Sequence, residues 1–83
     1  MSRRLFVGNL SYDTTEMGLR ALFGLRGTVA EARIVVDRET GVTRGFGFVE
    51  MVSDHEALHA IDELDGCHVD GRCITVNEAR ERR

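Results

Sequence analysis

In the stretch RGFGFVEM, residues 44–51, Arg44, Phe46, Phe48 and Glu50 recur at every second position. An extended strand sends alternate side chains to opposite faces, so these four share one face and Gly45, Gly47, Val49 and Met51 share the other. Rings beside a guanidinium can stack on flat partners while the cation holds an anion. That is binding chemistry. The remaining reactive side chains are more scattered. Cys67, His68 and Cys73 lack the CxxC-type spacing of a zinc site. If Asp70-Gly71 forms a two-residue hairpin turn, Cys73 faces His68 rather than Cys67, a poor arrangement for a disulfide. Two free thiols are the expectation. His55 and His59 lie four apart on a helical stretch, a metal-capable spacing, but no third ligand is placed near them and a solvated face accounts for both. Glu50 has no partner carboxylate for acid–base work.

Eighty-three residues make one domain, spanning 1–83 with a core from about residue 4 to 79. A chain this short has little stability to spare, so exposing large aromatics needs a reason. No run of about 18 apolar residues exists, which excludes a membrane-spanning helix. The start, MSRRLFVGNL, has too short an apolar stretch for a signal peptide, and the cytoplasm is the expected compartment. The net charge of −3 argues mildly against nucleic acid as a partner, but distribution matters more than the sum. All 11 basic residues are arginine. Arginine stacks on planar groups and forks onto phosphates, whereas lysine offers a point charge. A genome favouring arginine codons would leave the same composition. Ser53 to Gly66 carries five acids and no arginine, so the acidic and basic segments are separate.

These side chains need elements to position them. RRLFVG (3–8) reads as a strand, with Leu5 and Val7 opposed to Arg4, Phe6 and Gly8. SYDTTEMGLRALFGLRG reads as a helix. Asp13 and Glu16 suggest a capping box, with Thr14 a rival N-cap, and Tyr12 with Met17 would form the staple. Leu19, Leu22 and Phe23 supply its apolar stripe, and Gly27 suits its end. TVAEARIVVD (28–37) is strand-like, RETGVT is a loop, and the quoted strand follows. SDHEALHAIDELDG opens on a Ser53–Glu56 capping box, places Ala57, Leu58, Ile61 and Leu64 on one face, and stops at Gly66. RCITVNEA gives the last strand. The order strand, helix, strand, strand, helix, strand predicts an α+β, ferredoxin-like βαββαβ sandwich. Right-handed crossovers place both helices on one face of a four-stranded antiparallel sheet, with the first and third strands at its centre.

Parity then decides which face is covered. One set holds Leu5, Val7, Ala32, Ile34, Val36, Val49, Met51, Ile74 and Val76, with Gly45 and Gly47. The other holds Arg4, Phe6, Arg33, Val35, Arg44, Phe46, Phe48, Glu50, Cys73, Thr75 and Asn77. Burying four unpaired ions costs several kcal/mol apiece, more than three phenyl rings return at roughly 1.5–3 kcal/mol each. The aliphatic set is the core and the phenylalanines face outward. Phe6, Phe46 and Phe48 then cluster on the open sheet, framed by Arg4, Arg33 and Arg44. Unpaired bases stack on such rings for about 1–3 kcal/mol each, whereas duplex bases are already stacked. The pattern favours a single strand.

RGFGFVEM resembles the RNP1 element of the RNA recognition motif (RRM) family, and LFVGNL (5–10) resembles its RNP2 element. The similarity runs from about Arg4 to Ala79 and takes in DRETG and DGR; small single-RRM bacterial proteins and cold-inducible glycine-rich RNA-binding proteins look closest. The resemblance implies a single-stranded RNA-binding module serving as an RNA chaperone or post-transcriptional regulator. Phe6 and Phe48 would stack under bases, Phe46 would meet a sugar and Arg44 a phosphate. Arg4 and Arg33 would add phosphate contacts, and Asn77 to Arg80 would read base edges. Glu50 beside the rings would serve specificity or solubility. Met51 replaces the last RNP1 aromatic on the core side, and Leu25 would fill the place of an aromatic the family commonly has near the end of the first helix.

The alternative use of the same apolar patch is an RRM-like protein–protein contact. Arg80, Arg82 and Arg83 form either a backbone-tracking tail or a solvated terminus. Cys73 and Thr75 either border bound RNA or are merely tolerated on an open strand. Enzymes of this shape need other loops. An acylphosphatase needs an arginine after the first strand and a small metal carrier needs CxxC there, whereas GNLSYDTT has neither. There is no nucleophile–base pair. A monomer without cofactor or catalytic activity is expected, binding single-stranded RNA and, in vitro, single-stranded DNA.

Overall fold

The computed structural model describes residues 3–79. Alternation of apolar and polar residues yields β1 (Arg4–Gly8), β2 (Val29–Val36) and β3 (Thr43–Met51), and helical spacing yields α1 (Glu16–Gly24) and α2 (Asp54–Leu64). Three short strands follow: β4 (His68–Val69), β5 (Arg72–Cys73) and β6 (Thr75–Glu78). The main sheet is antiparallel with the order β2-β3-β1-β6, so β1 and β3 are central, as the crossover rule requires. Both helices bury their apolar sides on one face of it. Leu19 and Phe23 from α1, and Ala57, Ala60 and Leu64 from α2, pack with Leu5, Val7, Val49, Met51, Ile74 and Val76. The ferredoxin-like α+β architecture expected from the element order is the one observed.

The helices also finish the sheet at its two free edges, where unpaired strand groups invite association with other chains. Along β2, the Glu16 carboxylate accepts from Ile34 N at 2.9 Å, and Arg20 donates to the carbonyls of Val29 and Ala30. At β6, Asp65 Oδ1 accepts from Val76 N at 2.9 Å. Asp70 and Gly71 have φ of 51° and 86°, the left-handed pair of a two-residue hairpin turn. This turn sets His68 opposite Cys73, as expected, and both cysteines are free thiols.

Several local expectations need correction. The N-cap of α1 is Thr15, whose hydroxyl accepts from Gly18 N at 3.0 Å, rather than Asp13 or Thr14. Thr14 is buried instead and donates to Asp70 Oδ2 at 2.8 Å. Tyr12 and Met17 form no staple, since they are 76% and 81% exposed. With α1 ending at Gly24, Gly27 is not its stop. A side chain at Gly27 would collide with Glu56, whose carboxylate crosses that spot to accept from Thr28 N. The Ser53–Glu56 box is therefore half formed: Ser53 Oγ accepts from Glu56 N at 3.2 Å while the Glu56 carboxylate serves Thr28. Leu25 is 75% exposed and fills no gap. In α2, Ala60 takes the buried place expected for Leu58, which is half-exposed one position off the stripe.

Two strand irregularities have the largest effect. Val36 was expected in the core but is 49% exposed. The β2–β3 register shifts between Ile34 and Val36, so strict alternation fails there. Gly45 sits at this irregularity with φ of 85°, a conformation that costs a glycine little. The last strand is not continuous either. Ile74 separates β5 from β6, and Cys73 pairs with His68 in a two-stranded hairpin instead of lining up with Thr75 and Asn77 on the main sheet.

Candidate nucleic-acid interface

Pairing of β1 with β3 sets Arg4 opposite Glu50, Phe6 opposite Phe48 and Gly8 opposite Phe46. Cross-strand neighbours on one face are close enough for large side chains to touch. The three rings form a triangle with centroids 5.7, 5.9 and 6.1 Å apart. Phe6 and Phe46 are tilted by 31°, whereas Phe48 stands nearly edge-on to both. Each ring is only half-buried, while Val49 and Met51 on the opposite face are sealed under the helices. The face assignment from parity holds for all three phenylalanines.

The arginines are placed less uniformly than a frame. Arg4 lies over the Phe48 ring, its guanidinium carbon 4.8 Å from the centroid, a cation–π arrangement. Arg33 stands opposite Phe48 on β2, but its Nε donates to Glu31 Oε2 at 2.6 Å. Glu31 also stands opposite Glu50, and Glu50 opposite Arg4, so charges of both signs border this end of the patch. A shallow hollow of about 470 Å³ opens there, lined by Arg4, Glu31, Arg33, Ile34, Val35 and Phe48. Asn77 pairs with Phe6 on the other side, and it and Thr75 are exposed along β6. Arg80 lies outside the described residues.

Arg44 is at the other end. Asp37 lies near enough to feel its charge. The Asp37 carboxylate accepts from the backbone N–H groups of Glu39 and Thr40, which hold its pKa below the ordinary 3.8, and Arg44 lowers it further. Arg44 also lines a cleft of about 440 Å³ with Asn9, Leu10, Tyr12, Thr43, Gly45 and Arg72. Sequence reading did not single out Asn9, Tyr12 or Arg72 as site residues. Tyr12 by its spacing from Met17 suits a staple, and Arg72 lies far along the chain. Its approach to Asn9 comes from the fold: Arg72 donates to Asn9 Oδ1 at 2.8 Å across 63 residues.

A helix-backed antiparallel sheet with an uncovered aromatic centre and arginines at its margins defines a binding module. The chain belongs to the RNA recognition motif family, whose sequence model matches residues 5–75. It is 54% identical over 78 residues to RbpB of Nostoc sp., which carries a provisional RNA-binding name, covering 94% of this chain and 76% of that protein. It is 51% identical to the chloroplastic RNA-binding protein CP31B of Arabidopsis thaliana, over 95% of this chain and 27% of that one. Among solved structures, the Sxl-lethal protein/RNA complex superposes with a TM-score of 0.94 at 32% identity, covering all of this chain and 50% of the other. The chain thus spans three quarters of the bacterial relative and about a quarter of the chloroplast one.

Proposed function

We propose that this domain binds single-stranded RNA on the open face of its sheet and carries out no chemistry of its own. One observation carries the reading: Phe6, Phe46 and Phe48 sit within about 6 Å of one another on the face of the sheet opposite α1 and α2. Leaving three large rings partly in water gives up apolar burial that a small domain can ill spare, unless a ligand covers them. Bases of a single strand fit, because each presents a flat face and stacking is tolerant of sequence. Family membership, the names of the relatives and the RNA held by a structural neighbour support it.

In this reading bases lie on Phe6 and Phe48, Phe46 meets a sugar, and Arg44 takes a phosphate with Arg4 and Arg33 nearby. Asn77 and Arg80 reach base edges, and Glu50 disfavours some bases beside Phe48. The domain acts as a monomer, and single-stranded DNA competes in vitro because stacking does not need the 2′-hydroxyl. The test is titration of short single-stranded RNA and of a duplex of the same sequence against wild type and Phe46→Ala/Phe48→Ala. The single strand should bind and the duplex should not. The double variant should lose roughly 2–6 kcal/mol if the two stacks are additive. Unchanged affinity in the double variant would refute the reading, and a dimer that dissociates in that variant without RNA would favour a protein contact.

A further inference from the structure

We propose that the cleft lined by Asn9, Tyr12, Arg44 and Arg72 is a second nucleotide subsite, off the sheet, which takes a phosphate between the two arginines and a base against Tyr12. The inference rests on the RNA-binding reading and extends it to residues outside the aromatic triangle. Three stretches distant in sequence are tied together to build the cleft. Leu10 N donates to Gly45 O at 2.9 Å, holding the turn after β1 against the start of β3. Asn9 Nδ2 donates to Cys73 O at 2.8 Å, and Asn9 Oδ1 accepts from Arg72 at 2.8 Å, which joins the same turn to the β4–β5 hairpin. Asn9 holds a left-handed backbone, φ 58°, while making both bonds. Asparagine tolerates this conformation better than most residues.

The lining suits a nucleotide. A guanidinium carries five N–H donors, and Asn9 accepts from Arg72 without exhausting them. Arg44 supplies a second cation in the same cleft. Tyr12 is 76% exposed, so its ring is available as a stacking surface, and its burial contributes little to the core. The volume, about 440 Å³, lies within the roughly 300–1,000 Å³ of small-molecule sites. Position links it to the sheet: Arg44 is two residues before Phe46 on β3, and Asn9 follows Gly8, which stands opposite Phe46. A strand of RNA leaving Phe46 past Gly8 runs into the cleft.

The experiment compares a uridine tetranucleotide with an octanucleotide, titrated against wild type, Tyr12→Ala, Arg72→Gln, Arg72→Lys and Phe46→Ala/Phe48→Ala. The octanucleotide should bind wild type more tightly than the tetranucleotide does. Tyr12→Ala and Arg72→Gln should each weaken the octanucleotide about fivefold or more and leave the tetranucleotide unchanged. Arg72→Gln should reduce the slope of log affinity against log salt by about 0.7, and Arg72→Lys should retain the slope. Thermal melts check that Tyr12→Ala remains as stable as wild type. If the phenylalanine variant weakens both RNAs while Tyr12→Ala and Arg72→Gln affect neither, or affect both equally, the cleft proposal is overturned and the sheet reading stands. If wild type binds neither RNA, or the phenylalanine variant binds as wild type does, both fall together.

Discussion

Phe6 and Phe48 stand directly opposite each other across the β1–β3 ladder, ring centroids 5.9 Å apart and planes at 70°. An edge-to-face pair is worth about 0.5–1.5 kcal/mol beyond its buried area. The two rings therefore support each other modestly, and both remain partly exposed on the open face.

A contrast between Phe48 and Phe23 follows. Phe23 is fully buried under the sheet, so Phe23→Ala should cost about 3–5 kcal/mol of stability. Phe48→Ala should cost clearly less stability than that while weakening single-stranded RNA by about 1–3 kcal/mol. Denaturant unfolding and an anisotropy titration measure the two quantities on the same samples. Equal losses of stability would place Phe48 in the core.

The arginines should differ in salt dependence. Arg44→Gln should flatten the salt slope by about 0.7, the value for one phosphate contact on a single strand. Arg33 is already held by Glu31, so Arg33→Gln should change the slope less. Glu31→Gln should tighten RNA binding by releasing Arg33 and removing a negative charge. Weaker binding by Glu31→Gln would contradict this.

Asp37 gives the loop between β2 and β3 a pH dependence. Its folded pKa lies below 3.8, chiefly because the N–H groups of Glu39 and Thr40 donate to the ionised carboxylate. A depressed folded value means that the contribution is full above the unfolded pKa and is lost as pH falls through the lower, folded one. An NMR titration of the Asp37 carboxyl should show a midpoint under 3.8. Asp37→Asn should abolish this part of the acid dependence of stability. A midpoint at or above the ordinary value would remove the two backbone bonds from the account.

Gly47→Ala tests how closely β2 and β3 approach. A methyl group there would fall on the carbonyl of Arg33 and on Ile34 Cα, both backbone and unable to swing aside. The cost should be roughly 1–3 kcal/mol or more. A variant as stable as wild type would mean that β2 can shift freely.

Asp65→Ala should strip the β6 edge of the acceptor for Val76 N. Losing a hydrogen bond to a charged group costs roughly 1.5–3 kcal/mol, and the freed edge should promote association at high concentration. Denaturant unfolding and light scattering read the two effects, and wild-type behaviour in both would show that water replaces the carboxylate.

Apolar periodicity by itself determined the element order, the crossover rule then put β1 and β3 at the centre, and strand alternation turned Phe6, Phe46 and Phe48 outward. The physical reason is that charge is expensive to bury. A face carrying Arg4, Arg33, Arg44 and Glu50 could not be the covered one whatever the details of packing. Only the tertiary structure decided what depends on residues far apart in the chain. Alternation mispredicted Val36 because the shift between β2 and β3 is a property of two strands fitted together, with Gly45 absorbing the irregularity. Glu16 reads as half of a local capping box but reaches Ile34 N, 18 residues away, because docking sets α1 along the sheet edge. Asn9 and Arg72 fall in the LFVGNL and DGR stretches, but nothing local to either pairs them. Pairing of β1 with β6 draws their segments together and forms the cleft beside Arg44. Local pattern records what each segment must hide, and long-range closure decides which side chains meet.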